Sequence, residues 1–219
     1  MAEVNLLDRF PRTKRPVEDR AQSVTEADRQ ISRQFGREYF DGDRRQGYGG
    51  YRYAPHFWQP TVKRICEYYH LSEDARVLDV GCAKGFLLYD FKQLMPLVTV
   101  AGLDISQYAI DHAPAEVRPF LQLGNARELP YADRSFDLVL AINTIHNLPL
   151  EECKQALQEI QRVSSDHAFV VVDAWRTEEE HRRLQQWVLT AQTYMHVDDW
   201  KKLFREAGYT GDYFWFIVE

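Results

Sequence analysis

The chain has 219 residues, is 45% apolar and 27% charged, and carries a formal net charge of −6. This length accommodates one large α/β domain with a modest extension and is short for two ordinary domains. No apolar run nears the ~20 residues that span a bilayer, and the negative balance disfavours a nucleic-acid partner, which needs a basic stripe.

The start, MAEVNLLDRFPRTKR, has no apolar core ahead of a small-residue cleavage site, so secretion is not expected. Its one basic cluster, Arg12, Lys14 and Arg15, is followed at once by Glu18 and Asp19. Residues 1–23 read as an irregular arm. Thr25 suits an N-cap for a short helix that Gly36 would stop in a left-handed conformation. The stretch 37–59, REYFDGDRRQGYGGYRYAPHFWQ, is rich in Gly, Tyr and Arg. Pro60 suits a first helical position, with Val62, Ile65 and Tyr69 on one face.

Strands and helices then alternate. ARVLDVG is a buried strand, and Leu87, Phe91 and Leu94 stripe the next helix before Pro96. VTVAGLDI, RPFLQLGN, FDLVLAIN and HAFVVVDA predict four more strands, with SQYAIDHA a short helix and Cys153, Leu157 and Ile160 the inner face of another. Such alternation implies a parallel sheet with right-handed crossovers. Thr177 with Glu180 forms a capping box for a helix with Leu184, Trp187, Val188 and Ala191 inside. Asp198 is expected to cap a helix carrying Trp200, Leu203, Phe204 and Ala207, stopped by Gly208. DYFWFIVE is the expected last strand, and QTYMHV is left open between strand and loop. The three cysteines, Cys66, Cys82 and Cys153, form no C-x-x-C pair and predict a reduced, cytoplasmic protein.

The turn after the first strand, DVGCAKG, sits where open α/β sheets bind ligands. Gly81 lets the chain reverse, Gly85 lets helix and ligand approach, and the helix N-terminus offers free N–H groups. A dinucleotide fingerprint would need glycine at 81, 83 and 86, but Ala83 and Phe86 stand there, which counts against NAD or FAD. A P-loop fails for want of a Ser or Thr after Gly-Lys. Asp104 ends the second strand 23 residues after Gly81, where a carboxylate accepts ribose hydroxyls; alone it would be only a helix cap. In order and spacing the set predicts an adenosine site.

VLDVGCAKG, VAGLDIS and GNARELPYADRSFDLVLAINTIHNL together resemble the class I S-adenosylmethionine-dependent methyltransferases, over about residues 75–173. The resemblance implies a three-layer αβα Rossmann-like sandwich, with a mostly parallel six- or seven-stranded sheet and an antiparallel C-terminal strand. It implies S-adenosylmethionine as cofactor, with Asp79, Gly81, Cys82, Ala83 and Gly85 under its methionine and adenosine, and Asp104 with Ile105 at the ribose. Asn125, with Ala126 beside it, would face the adenine amino group; here it is Asn where Asp is commoner. Asn143, which opens the segment after the fourth strand, would border cofactor and acceptor and orient the nucleophile.

His146 is a candidate general base, its pKa ordinarily lying near working pH, or else a histidine that only satisfies backbone. Asp173 is a second candidate base, with helix capping as its alternative. In the Gly-rich stretch, Tyr48, Tyr51, Arg52 and Tyr53 are expected to bind substrate as part of a lid, and Arg44, Arg45 and Arg52 could grip an anion; the alternative is packed structural cover. No histidine spacing suggests a metal. The expectation is an N-terminal arm and lid over 1–59 and a methyltransferase domain over 60–219, acting on a small polar acceptor, without a membrane partner. A catalytically silent partner subunit and a macromolecule (RNA or protein) methyltransferase are the rivals.

Overall fold

A computed structural model of the chain describes residues 1–11 and 16–218. The basic cluster Arg12, Lys14 and Arg15 lies outside the described residues.

Seven strands form the sheet: β1 (Arg76–Val80), β2 (Thr99–Asp104), β3 (Leu121–Leu123), β4 (Phe136–Ile142), β5 (Ser164–Trp175), β6 (Met195–His196) and β7 (Asp212–Phe216), in the order β3-β2-β1-β4-β5 with β6 and β7 both paired to β5. Every strand pairing is parallel. The period of two along each strand divides the core between the sheet faces. Leu78, Val80, Val139, Ala141, Val170 and Val172 face one way, against helices α7 (Leu150–Val163) and α9 (Val197–Ala207). Val77, Leu138, Leu140, Phe169 and Val171 face the other way, against α4 (Pro55–Tyr69) and α5 (Phe86–Leu94). Both faces are thus covered, as the near-continuous apolar strands require. Trp200 on α9 is fully buried, and cutting it to Ala would cost about 3–5 kcal/mol.

The expected three-layer sandwich is present, but the last strand runs the other way from expectation. β7 pairs parallel to β5, with Phe169 beside Asp212 and Asp173 beside Phe216. The cause is the connection: the chain leaves β5, passes through α8 (Glu178–Trp187), β6 and α9, and returns by a helical crossover. A crossover brings a strand back in its original direction, whereas antiparallel pairing is what a hairpin would give. The N-terminus then covers the outer edge of β7: Tyr213 N donates to Ala2 O at 3.0 Å and Val4 N to Tyr213 O at 2.9 Å. An open strand edge is thereby masked, and Leu6, just beyond, is fully buried.

Several boundaries differ from those expected from sequence. Helix α2 (Glu26–Ser32) begins with the Thr25–Asp28 capping box, but the left-handed residue after it is Phe35 at φ 50, not Gly36, which instead precedes α3 (Arg37–Asp41). Pro55, not Pro60, takes the first turn of α4, and Pro60 lies inside the helix, which runs through position 59. The third strand keeps only Leu121–Leu123, because Arg118–Phe120 winds into a short 3₁₀ turn around Pro119. Asp198 lies inside α9, and the side chain of His196 accepts its N–H as the cap. The remaining helices are α1 (Val17–Ser23) and α6 (Gln107–Asp111). Ala191 is buried but lies past the end of α8. No helix among the described residues is long and apolar enough to cross a membrane.

Candidate functional site

The site forms where β1, β2 and β4 end together. Gly81 has φ 80, and a Cβ there would run into the Thr144 side chain from the end of β4. Glycine is required on both counts, strain and space. The N–H groups of Gly81 and Cys82 both donate to Leu103 O, at 2.7 and 3.2 Å, which ties the turn to β2. Ala83 adopts φ 50, a left-handed conformation that costs an alanine about 1–2 kcal/mol. Its N–H donates to Asp104 Oδ2 at 2.7 Å, while Ser106 N donates to Asp104 Oδ1 at 2.8 Å. Gly85, also left-handed, opens α5.

Asp79 and Asp104 are both buried. Burial pushes Asp79 up to about 7, with the neighbouring Asp104 charge adding to it. Burial likewise raises Asp104, opposed by the N–H groups of Ser106 and Ala83. Among the described residues Asp79 has no hydrogen-bond partner for its carboxylate, and such a group asks for a cation or a donor from a ligand. Beside Asp104, Ile105 stands 56% exposed and Leu123, in register with Asp104, 55% exposed. A pair of buried carboxylates next to open apolar side chains fits a ligand with a cationic end, a sugar and a flat base. Asn125 accepts Arg127 N at 3.0 Å through Oδ1 and keeps its amide donors and a second lone pair; Ala126 beside it is buried.

After β4 the chain turns at Asn143, left-handed at φ 55 and exposed, a conformation asparagine tolerates. His146 is buried, and its Nδ1 accepts the backbone N–H of Asp173 at 2.9 Å. The ring proton therefore sits on Nε2, and burial lowers the pKa despite the Asp173 charge. This is a neutral donor, a poor general base. Asp173 Oδ1 lies 3.6 Å from the same Nδ1, and Thr177, not Asp173, caps the following helix.

The Gly-rich stretch is folded over this turn. Tyr48 N donates to Tyr39 O, and Gly50 N and Tyr51 N to Phe40 O; a Cβ on Gly47 would strike the Tyr39 carbonyl, so only glycine fits. Lys84, from the turn itself, is buried and binds Asp41 Oδ2 at 2.6 Å and Tyr51 O at 2.9 Å. Asp41 also accepts from Tyr108 at 2.7 Å and from Tyr51 N at 3.0 Å. The Tyr39 hydroxyl meets the side chains of Tyr48 and Thr190, and the Asp104 charge acts on Tyr39, Tyr48 and Tyr51 alike. Tyr51 stacks toward Tyr48 at 4.5 Å and Phe86 at 5.0 Å between centroids.

The structure thus brings Asp79, Gly81, Cys82, Ala83, Asp104, Tyr48 and Tyr51 together. It sends two expected substrate residues elsewhere. Tyr53, in the loop before α4, donates to buried Asp90 on α5 at 2.6 Å, and Arg52 is exposed with no partner among the described residues. The sequence reading passed over Lys84, Asp41, Tyr39 and Thr190. For Lys84 a signal existed, a lysine inside an otherwise apolar turn; Tyr39 and Thr190 lie towards opposite ends of the chain and carried none.

A parallel sheet in the order 3-2-1-4-5, with a glycine turn after β1 and an acid at the end of β2, defines the class I methyltransferase fold. Residues 77–167 match the Methyltransferase domain family. Demethylmenaquinone methyltransferase of Lactiplantibacillus plantarum is 36% identical over 53% of this chain and 50% of its own. The tRNA (carboxymethyluridine(34)-5-O)-methyltransferase of Arabidopsis thaliana is 30% identical over 67% of this chain and 36% of its own. The YcgJ protein of Bacillus subtilis superposes with a TM-score of 0.54, at 20% identity, over 67% of this chain and 66% of its own. The chain carries a class I S-adenosylmethionine-dependent methyltransferase domain, which implies S-adenosylmethionine as its cofactor. It spans 50–59% of the length of the first curated relatives it matches.

Proposed function

We propose that this protein transfers a methyl group from S-adenosylmethionine to a small polar acceptor held under the tyrosine lid. The observation that carries the reading is the Lys84–Asp41 pair, which fastens the tyrosine-rich stretch to the cofactor turn. Asp104 would hold the ribose, Asp79 the cationic methionine end, Ile105 and Asn125 the base. Bound there, the cofactor supplies an activated methyl group.

The chain's own work is positional. Transfer requires nucleophile and methyl at ~3–3.5 Å with water excluded, so Tyr39, Tyr48 and Tyr51 act by enclosing the site. Exposed Asn143 can align the acceptor through its amide. His146 contributes its Nε2–H as a donor and fixes the β4–β5 ends, with its carbonyl accepting from Gln192 N and Thr193 N at 2.9 Å each. Residues 1–59 supply the arm and lid, and the cytoplasm is the proposed compartment.

Calorimetry should show S-adenosylhomocysteine binding and no binding of NADH, and a small-metabolite methylation screen should then give turnover. Cofactor binding without turnover on any small acceptor, but with turnover on tRNA, would replace this reading by the macromolecular one, which the Arabidopsis relative makes the natural rival.

A further inference from the structure

Two carboxylates join the same two segments of the site at different levels. Asp104, at the end of β2, takes Ala83 N on Oδ2 at 2.7 Å and Ser106 N on Oδ1 at 2.8 Å. The turn after β1 and the residue before α6 thus set its orientation. Asp41, on α3, takes Lys84 Nζ and the Tyr108 hydroxyl on Oδ2, at 2.6 and 2.7 Å. Lys84 follows Ala83 directly, and Tyr108 lies two residues after Ser106. Each donor to Asp104 therefore has a near neighbour tied to Asp41.

The N-terminal stretch grips these segments at further points. Ser106 Oγ donates to Phe35 O at 2.5 Å. The buried Phe40 ring stacks on Tyr108 with centroids 6.4 Å apart. Lys84 gives a second N–H to Tyr51 O at 2.9 Å, and Tyr51 N returns to Asp41 Oδ1 at 3.0 Å. Burial would raise the Asp41 carboxyl, but its bonds to Lys84, Tyr108 and Tyr51 N outweigh that and hold it below the ordinary range. It is a charged partner for Lys84.

This hold answers a need of the turn. Ala83, between left-handed Gly81 and Gly85, is itself left-handed, a conformation that persists only where the surroundings over-determine it. Relaxed, its N–H would swing away from Asp104 Oδ2. A carboxylate that has lost one of its clasps turns, and hydrogen bonds weaken steeply with angle.

We infer that Asp41 is a positioning residue of the cofactor site: through Lys84 and Tyr108 it holds the Ala83 and Ser106 N–H groups in place and so aims Asp104 at the ribose. The inference rests on the methyl-transfer reading of the turn. It gives residues 35–51 a part in recognising the cofactor, besides enclosing the acceptor.

The test compares S-adenosylhomocysteine with S-(2′-deoxyadenosyl)homocysteine by calorimetry on the full chain. The wild type should bind the first about ten- to a hundredfold more tightly, the worth of one hydrogen bond to a charged acceptor. Asp41→Asn keeps the size of the side chain and removes its charge. It should cut that preference by about threefold or more, the size of coupling within one hydrogen-bonded network, chiefly by weakening S-adenosylhomocysteine. Tyr108→Phe, which removes a single hydroxyl, decides the matter if melting curves show that Asp41→Asn does not fold. A role in stability or cover alone would weaken both ligands alike, so an unchanged preference in the deciding variant overturns the inference. So does the absence of any preference in the wild type. Failure of the wild type to bind S-adenosylhomocysteine at all would instead overturn the methyl-transfer reading beneath it.

Discussion

The turn at 79–85 and the stretch at 36–53, the proposed lid, lie against each other through Lys84, yet they are held in opposite ways. The turn is shaped by its own backbone: three left-handed residues, Gly81, Ala83 and Gly85, and N–H groups tied to the adjacent β2. The stretch at 36–53 has one short helix, α3, and a few backbone bonds of its own, and it is fastened to the domain by side chains remote in sequence, above all Lys84 to Asp41 and Tyr108 to Asp41. A local motif tolerates no change at its strained position. A lid held by a few long-range contacts should instead loosen gradually as these are removed.

The severest test of the turn is Gly81→Val. Left-handed strain and collision with Thr144 together should cost about 2–6 kcal/mol, seen as a collapse in melting temperature and loss of S-adenosylhomocysteine binding. An intact, cofactor-binding variant would refute the requirement for glycine.

Lys84→Met attacks the lid. Breaking a buried pair costs about 3–5 kcal/mol; the lower end applies because Asp41 is 23% exposed and keeps Tyr108 and Tyr51. Proteolysis near residues 47–50 should quicken while the sheet core stays protected from hydrogen exchange. Equal loosening of both would mean that lid and domain fold as one unit.

Asp104→Asn should weaken S-adenosylhomocysteine by about 1.5–3 kcal/mol, because charge-assisted bonds become neutral. Unchanged calorimetric affinity would leave Asp104 as a backbone clasp for Ala83 and Ser106 alone.

Asp79 predicts a pH signature. Its folded value near 7 exceeds the ordinary ~3.9, so between these the folded protein keeps a proton that the unfolded chain has lost. Stability should fall as pH rises from about 4 to about 7, by at most roughly 1.4 kcal/mol per unit, then level off. Asp104, shifted in the same direction, adds to the slope. Denaturant titrations of Asp79→Asn should give a flatter curve; an unchanged slope would place the titration elsewhere.

The smallest effect belongs to Tyr53→Phe. Losing its bond to Asp90 should lower stability by about 1 kcal/mol and leave acceptor KM unaltered. A raised KM with normal stability would return Tyr53 to the substrate site.

The alternation of Val-rich strands with striped helices, the glycine turn and the acid after β2 were legible in the sequence because each depends on neighbours within one βαβ unit. Residues whose partners lie far along the chain were not. The pattern DYFWF announced a strand but not its direction, which the α9 crossover decided. His146 was visible as an imidazole in the right segment, and only the Asp173 N–H at its Nδ1 settled where its proton sits. Tyr53 and Arg52 belong to the same Gly-rich stretch as Tyr51, but one braces α5 and the other faces solvent. Periodicity and backbone conformation are set by short stretches of chain; what a side chain touches is set by packing between stretches that the sequence lists far apart.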